Sequence, residues 1–126
     1  MTIREHSIYD CILSNAQNFP KETALVSGDL RLTFSEVPLH VNCLARGLLN
    51  TGFEKGDRIA VMLNNCAEYA LLLAACSRIG LIAVCLNTRT SADEMRMVLE
   101  STKPKALLFQ TILEEQAEAL RDLLPA

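Results

Sequence analysis

Between Arg58 and Phe109 three short apolar runs, RIAVML, LIAVCL and KALLF, alternate with two helix-like stretches. None of the three runs alternates polar with apolar residues, so none suits a strand wetted on one face. Uniformly apolar strands separated by helices point to parallel pairing, with crossover helices covering the sheet. The remainder of the chain fits around that constraint. A helix is expected over Ile8–Asn18, capped by Ser7, with Asp10 in its first turn, Ile8, Ile12 and Phe19 near one face and Pro20 just past its end. The run ALVSGDLRLTF then reads as a β-hairpin turning at Ser27-Gly28-Asp29.

A second helix should run to about Asn50, with Phe34, Val37, Val41, Leu44 and Leu48 as its apolar stripe. Thr33 and Glu36 have the spacing of a capping box. Pro38 leaves the start open: with Thr33 as the cap it deletes a helix hydrogen bond, and with Ser35 as the cap it falls in the tolerated first turn. The helix from about Cys66 to Ile79 has Asn65 and Glu68 as its expected cap pair and Gly80 as its stop. It is apolar nearly all round, which predicts an exposed apolar patch or a homodimer that hides it. Ser91 and Glu94 form a further box before a helix with Met95, Val98 and Leu99 on its buried face, ended by Lys103-Pro104. A last amphipathic helix is expected over Ile112–Leu123, with Ala117 and Leu120 inward. The predicted fold class is α/β: a parallel three-layer arrangement with helices on both faces of the sheet plus a small hairpin, in a single domain over 1–126.

The chain of 126 residues is long enough for its own core, and a net charge of −3 without a basic stripe argues against nucleic acid as a partner. Five cysteines without a C-x-x-C pair, and two lone histidines (His6 and His40), offer neither a disulfide framework nor a zinc site. Reduced thiols serving as small apolar fillers in a cytoplasmic protein are the expectation. The N-terminus MTIREHSIYD has no apolar leader core, and Tyr69–Leu86, the most apolar stretch, carries Arg78 and a Gly80 break, so no transmembrane segment is expected.

A strand followed directly by a helix, as at Leu63-Asn64-Asn65-Cys66, is where many α/β proteins hold phosphate. That requires glycines, because the backbone must approach the ligand with no Cβ in the way. Here there are none, and Asn64-Asn65 reads as a cap. Asn87 and Arg89 stand beside a helix start, where an arginine could take a carboxylate or phosphate, pair locally or face another part of a larger protein. Cys66 has no histidine near it in sequence to act as base. Asp93 and Glu94 are accounted for by the capping box. No residue is therefore assigned a catalytic, cofactor-binding or metal-binding role.

LRLTFSEV (Leu30–Val37), GFEKGDRIAVMLNNCAEY (Gly52–Tyr69) and SRIGLIAVCLNTRTSADE (Ser77–Glu94), in this order, resemble the opening of adenylate-forming enzymes, most closely acyl-CoA synthetases. Leu32–Val37 is similar to that superfamily's first core motif and Gly80–Arg89 to its second. Cys85 and Asn64 stand where proline is usual, and Cys66 where serine is common. The resemblance implies the N-terminal subdomain of a larger enzyme, silent by itself, because the phosphate loop, the nucleotide-binding motifs and the catalytic lysine come later in such chains. It implies for the parent a fatty or aryl acid substrate, with ATP, magnesium and coenzyme A, none held by these residues, and the remainder of the chain as partner. The other readings are a self-standing binding or dimerisation module of the same fold, and a flavodoxin-like or receiver domain. The last would need glycines or an acidic cluster at the strand ends.

Overall fold

A computed structural model describes residues 6–125. The first five residues, part of the stretch read for a leader, lie outside the described residues. The chain divides into two compact units, one running to Glu54 and including Cys66–Gly80, the other comprising Lys55–Asn65 and the chain from Leu81 onward.

The first unit holds helix α1 (Ile8–Asn18), the hairpin β1 (Thr23–Ser27) and β2 (Leu30–Thr33), and helices α2 (Val37–Asn50) and α3 (Ala67–Ile79). Ser7 caps α1 as expected: its hydroxyl accepts from the Asp10 N–H, and the Asp10 carboxylate accepts from the Ser7 N–H at 2.8 Å. The inward face of α1 differs from the expected one. Tyr9 is buried with Ile12 and Leu13 against it, whereas Ile8 and Phe19 are exposed. The hairpin is antiparallel, with Ser27 opposite Leu30, and Gly28 turns it at φ +57°.

Neither Thr33 nor Ser35 caps α2. The helix begins one residue later, with Glu36 in the cap position and Pro38 in the first turn, where proline's missing N–H would have no intrahelical partner anyway. Thr33 still bonds Glu36, its N–H at 2.8 Å and its hydroxyl at 2.9 Å, but this pair closes the turn ahead of the helix. Phe34 accordingly lies outside α2. Val37, Val41 and Ala45 on α2 meet Leu71, Ala74 and Ala75 on α3, together with Tyr9 and Leu32. The alanines allow the two helices to pack closely.

Helix α3 starts at Ala67, so Cys66 rather than Asn65 is its cap residue, with no side-chain hydrogen bond to the helix. A thiol is a weak acceptor, and burial of Ala67, Leu71 and Leu72 holds the first turns instead. Gly80 ends α3 in the left-handed region at φ 75°, as expected. Most of the apolar surface of this helix is covered, with Leu71, Leu72, Ala74, Ala75 and Cys76 buried, while Leu73 and Ile79 are half-buried and Ala70 is exposed. The exposed large apolar side chains lie elsewhere, at Leu39, Met97 and Ile112 for example.

The second unit contains the parallel sheet of β3 (Arg58–Met62), β4 (Ile82–Cys85) and β5 (Ala106–Phe109), in the order β4-β3-β5. Ile59 is level with Ala83 on one side and Ala106 on the other. Four successive residues of β3, Ile59 to Met62, are buried, so this strand is covered on both faces as its composition predicts. Helix α4 (Ala92–Thr102) carries the chain from one sheet edge to the other. Its Met95 and Leu99 cluster with Ala60, Met62, Val84 and Leu86, which alternate along the strands as one face must. Val98, expected inward, is exposed. Lys103 closes α4 in the left-handed region and the buried Pro104 follows.

The final helix is not continuous. It consists of a 3₁₀ turn at Thr111–Leu113, the short α5 (Glu114–Glu118) and a second 3₁₀ turn at Arg121–Leu123, although Ala117 and Leu120 do point inward. The cause is visible at Ala119. In a continuous helix its carbonyl would accept from the Leu123 N–H; it accepts instead from Arg96 Nη1 at 2.8 Å, and Leu123 bonds Leu120. Arg96 also grips Asp122 with both fork nitrogens, at 3.0 and 2.6 Å.

The cysteines do not behave uniformly as fillers. Cys76 is buried and Cys66 half-buried, but Cys11, Cys43 and Cys85 are exposed.

Three carboxylates share one perturbation. Asp10, Glu36 and Glu94 all have pKa values lowered, first by the backbone N–H and then by the hydroxyl of Ser7, Thr33 and Ser91 respectively. A lowered folded-state pKa means that the unfolded chain takes up protons first. The stabilisation is complete above the ordinary values of 3.8 for Asp and 4.5 for Glu and is lost as pH falls through the lowered ones. The urea midpoint should therefore be level from pH 7 to about 5.5 and decline below that range. A midpoint that rises on acidification would contradict this account.

Candidate functional site

In open parallel sheets, ligands sit outside the carboxyl ends of the strands, where successive connections leave in opposite directions. With the order β4-β3-β5 that point lies between β3 and β5. The residues just past the strand ends are Asn64, Asn87-Thr88 and Gln110.

Their polar groups are turned on one another. The Asn64 N–H donates to Gln110 Oε1 at 2.8 Å, and Thr88 Oγ1 donates to Asn64 Oδ1 at 3.2 Å. The Leu86 and Gln110 N–H groups continue the ladder onto the Val61 and Met62 carbonyls. A phosphate-gripping turn presents its N–H groups outward with nothing in front of them. Here the N–H best placed for that task is bonded to the chain's own amide. The strand ends are tied together by a polar latch, and no anion cradle is formed. Asn65 is exposed and, contrary to expectation, caps nothing.

Asn87 organises the turn after β4. Its Oδ1 accepts from the Arg89 N–H at 3.0 Å, and its carbonyl accepts from the Thr90 N–H and hydroxyl. This is an Asx turn leading into the Ser91–Glu94 box, which has both of its bonds. Arg89 is exposed, and among the described residues no ion pair involves its guanidinium. Asp93 lies exposed in the first turn of α4. In the first unit, His40 is exposed near Glu36, and His6 lines a shallow hollow with Asp10 and Cys11. The structure thus brings Asn64 together with Thr88 and Gln110, and Asn87 with Thr90. It does not gather Cys66, His6 and His40 into one centre.

Thr88 and Gln110 escaped the sequence reading because they lie 24 and 46 residues from Asn64. One signal could have found them. Gln110 directly follows an apolar strand and Thr88 lies just beyond another, where side chains of a parallel sheet reach the common edge.

The sequence profile of AMP-binding enzymes matches residues 13–126. The human medium-chain acyl-CoA ligase ACSF2, a mitochondrial protein, is 34% identical over 109 residues, covering 85% of this chain and 18% of its own length. The acyl-CoA ligase SID4 of Ajellomyces capsulatus is 40% identical over 79 residues, covering 63% of this chain and 13% of its own. Among solved structures, the N-terminal domain of FACL13 from Mycobacterium tuberculosis superposes with a TM-score of 0.87 at 27% identity, covering 93% of this chain and 30% of that one. The chain thus spans less than a fifth of the length of these two ligases.

Proposed function

Given that the chain belongs to the AMP-binding enzyme family, we propose that it is the N-terminal structural portion, a single domain over 1–126, of an ATP-dependent acyl-CoA synthetase. The observation that carries this reading is the match of the family profile from residue 13 to 126, with an acyl-CoA ligase aligned over 85% of the chain. In the parent reaction a carboxylic acid, fatty or aryl, is joined to ATP as an acyl-adenylate and then passed to coenzyme A. Activation is needed because a carboxylate is a poor electrophile until one of its oxygens belongs to a phosphate leaving group.

The strand-end residues Asn64, Asn87, Thr88 and Gln110 do not fit a nucleotide's phosphates, and none of them is a carboxylate for magnesium. The Asn64 N–H is bonded to Gln110, and that turn has no glycine through which a phosphate could approach. The reaction sites for ATP, magnesium and coenzyme A accordingly belong to the remainder of the parent chain. Within this portion, the residues 30–37 and 80–89 act as architecture: one closes the hairpin into α2, the other sets the turn into α4. Among the described residues no helix is long and apolar enough to cross a membrane. A cytoplasmic location accords with the exposed thiols Cys11, Cys43 and Cys85, whereas the human relative is mitochondrial. The exposed Leu39, Met97 and Ile112 are candidate contacts with the rest of the parent or with a second copy.

The test has two arms. The gene product extended through any continuing frame, given ATP, magnesium, coenzyme A and a panel of medium-chain and aryl acids, should release AMP and form acyl-CoA detectable by mass. The 126-residue chain should show no ATP–pyrophosphate exchange with the same acids. Exchange by the short chain would overturn the assignment of a silent portion. A stop codon after Ala126, or a longer product inactive on every acid, would overturn the synthetase reading.

A further inference from the structure

The arginines fall into two classes. Arg96 and Arg121 hold Asp122 and Glu118 in ion pairs. Among the described residues neither Arg46 nor Arg78 forms an ion pair, yet both line one depression of about 390 Å³ in the first unit, together with Asn42, Ala45, Leu49 and Ile79.

The groups around this depression are held in place. The Tyr9 hydroxyl donates to Asn42 Oδ1 at 2.8 Å, which leaves the Asn42 amide N–H₂ as the free, donating end. Arg78 lies over the Tyr9 ring with Cζ 4.4 Å from its centroid, a cation–π contact that limits where the guanidinium can go. Asn42 and Arg46 are four residues apart on α2 and so share a face. The depression therefore carries two guanidinium forks and an amide donor without a carboxylate among its lining residues. Two like charges at one hollow repel, and a ligand bearing only acceptors relieves that repulsion.

We propose that this depression is a binding site for a phosphate-type dianion. A planar carboxylate satisfies one arginine fork, whereas a tetrahedral oxyanion offers enough oxygens for both forks and the Asn42 amide together. The source can be free phosphate or pyrophosphate, or a phosphate carried on a nucleotide. The site does not depend on the synthetase reading and shares no residue with the Asn64–Gln110 latch.

The test is an NMR titration of isotope-labelled protein at constant ionic strength, following the Asn42 side-chain amide and the Arg46 and Arg78 Nε–H signals. Inorganic phosphate and pyrophosphate should shift these signals saturably, with a dissociation constant of roughly 1–10 mM for so open a site, and acetate should act more weakly. Arg46 is exposed, so Arg46→Gln should fold normally by circular dichroism and weaken phosphate roughly tenfold. Arg46→Lys, which keeps the charge without the fork, should fall between the two. AMP moving the same signals while adenosine does not would extend the source to nucleotides; shifts from inorganic phosphate alone would restrict it to the free ion, and either supports the site. Non-saturating shifts equal to those from chloride, or unchanged binding in Arg46→Gln, would overturn it.

Discussion

Replacing Leu99 by alanine is expected to lower the stability of the second unit by about 3 kcal/mol, read as a fall in the urea midpoint with little change in slope. Leu99 is 1% exposed and sits in the cluster that joins α4 to the sheet. Losing a buried leucine to alanine removes its transfer free energy and leaves a cavity, at about 2–5 kcal/mol depending on how far the surroundings collapse. Two methionines, Met62 and Met95, belong to this cluster. Their unbranched chains can move into the gap, which argues for the middle of the range and against its top. A small domain has only about 5–15 kcal/mol in total, so the variant should remain folded at room temperature with a clearly reduced margin. A loss below about 1 kcal/mol would mean that Leu99 does not pack as described.

Ala60→Asp should be more severe. Ala60 is fully buried in the middle strand, opposite Val84 and Leu107, and its cluster contains no polar side chain. A carboxylate placed there has no partner. Burial can push its pKa up by roughly 3–5 units, which at pH 7 costs at most ~4 kcal/mol because the group then stays protonated, and the neutral carboxyl still lacks a hydrogen-bond partner, at ~1–3 kcal/mol more. Adding volume to a packed strand costs a further ~1–3 kcal/mol. The sum reaches the whole stability of a domain this size, so no cooperative unfolding transition is expected at pH 7. Ala60→Val separates the two causes, since it adds volume without charge and should stay folded. Acidification should restore Ala60→Asp only in part. The penalty fades as pH falls from 7 toward the carboxyl's unfolded value near ~4, but below about pH 5.5 the support that Asp10, Glu36 and Glu94 give to their turns is lost as well. A wild-type-like melting curve for Ala60→Asp at pH 7 would refute the burial of β3.

What was legible in the sequence was local. The Ser7 cap and the Ser91–Glu94 box depend on residues three apart and form as read, and Asp10, expected only as a first-turn charge, completes a box with Ser7. The apolar runs became strands of one parallel sheet, and the middle one alone is fully covered, with Ile59–Met62 buried while Ile82, Cys85 and Phe109 on the edge strands are exposed. The family motifs also reported truly, since the chain belongs where Leu30–Val37 and Ser77–Glu94 pointed. The misses came from partners distant in sequence. The Ile112–Leu123 pattern is a good helix by periodicity, but Arg96, 23 residues before Ala119, takes the carbonyl that would continue it. The start of α2 turned on whether Thr33 bonds forward as a cap or merely closes a turn, which composition does not decide. At the strand ends the absence of a glycine cradle was readable, but the Thr88–Asn64–Gln110 latch was not, because it exists only once three strands lie side by side.

The position of β3 in its sheet has a consequence for biosynthesis. The strand that ends up in the middle is the earliest of the three to leave the ribosome, and the later ones add to its left and right in turn. A nascent chain can therefore set the β3–β4 pair while α4 and β5 are still being translated, leaving the other flank of β3 waiting for its neighbour. During that interval the strand destined to be the most buried of the sheet has one bare hydrogen-bonding flank, which is the moment at which a chaperone would have most to protect.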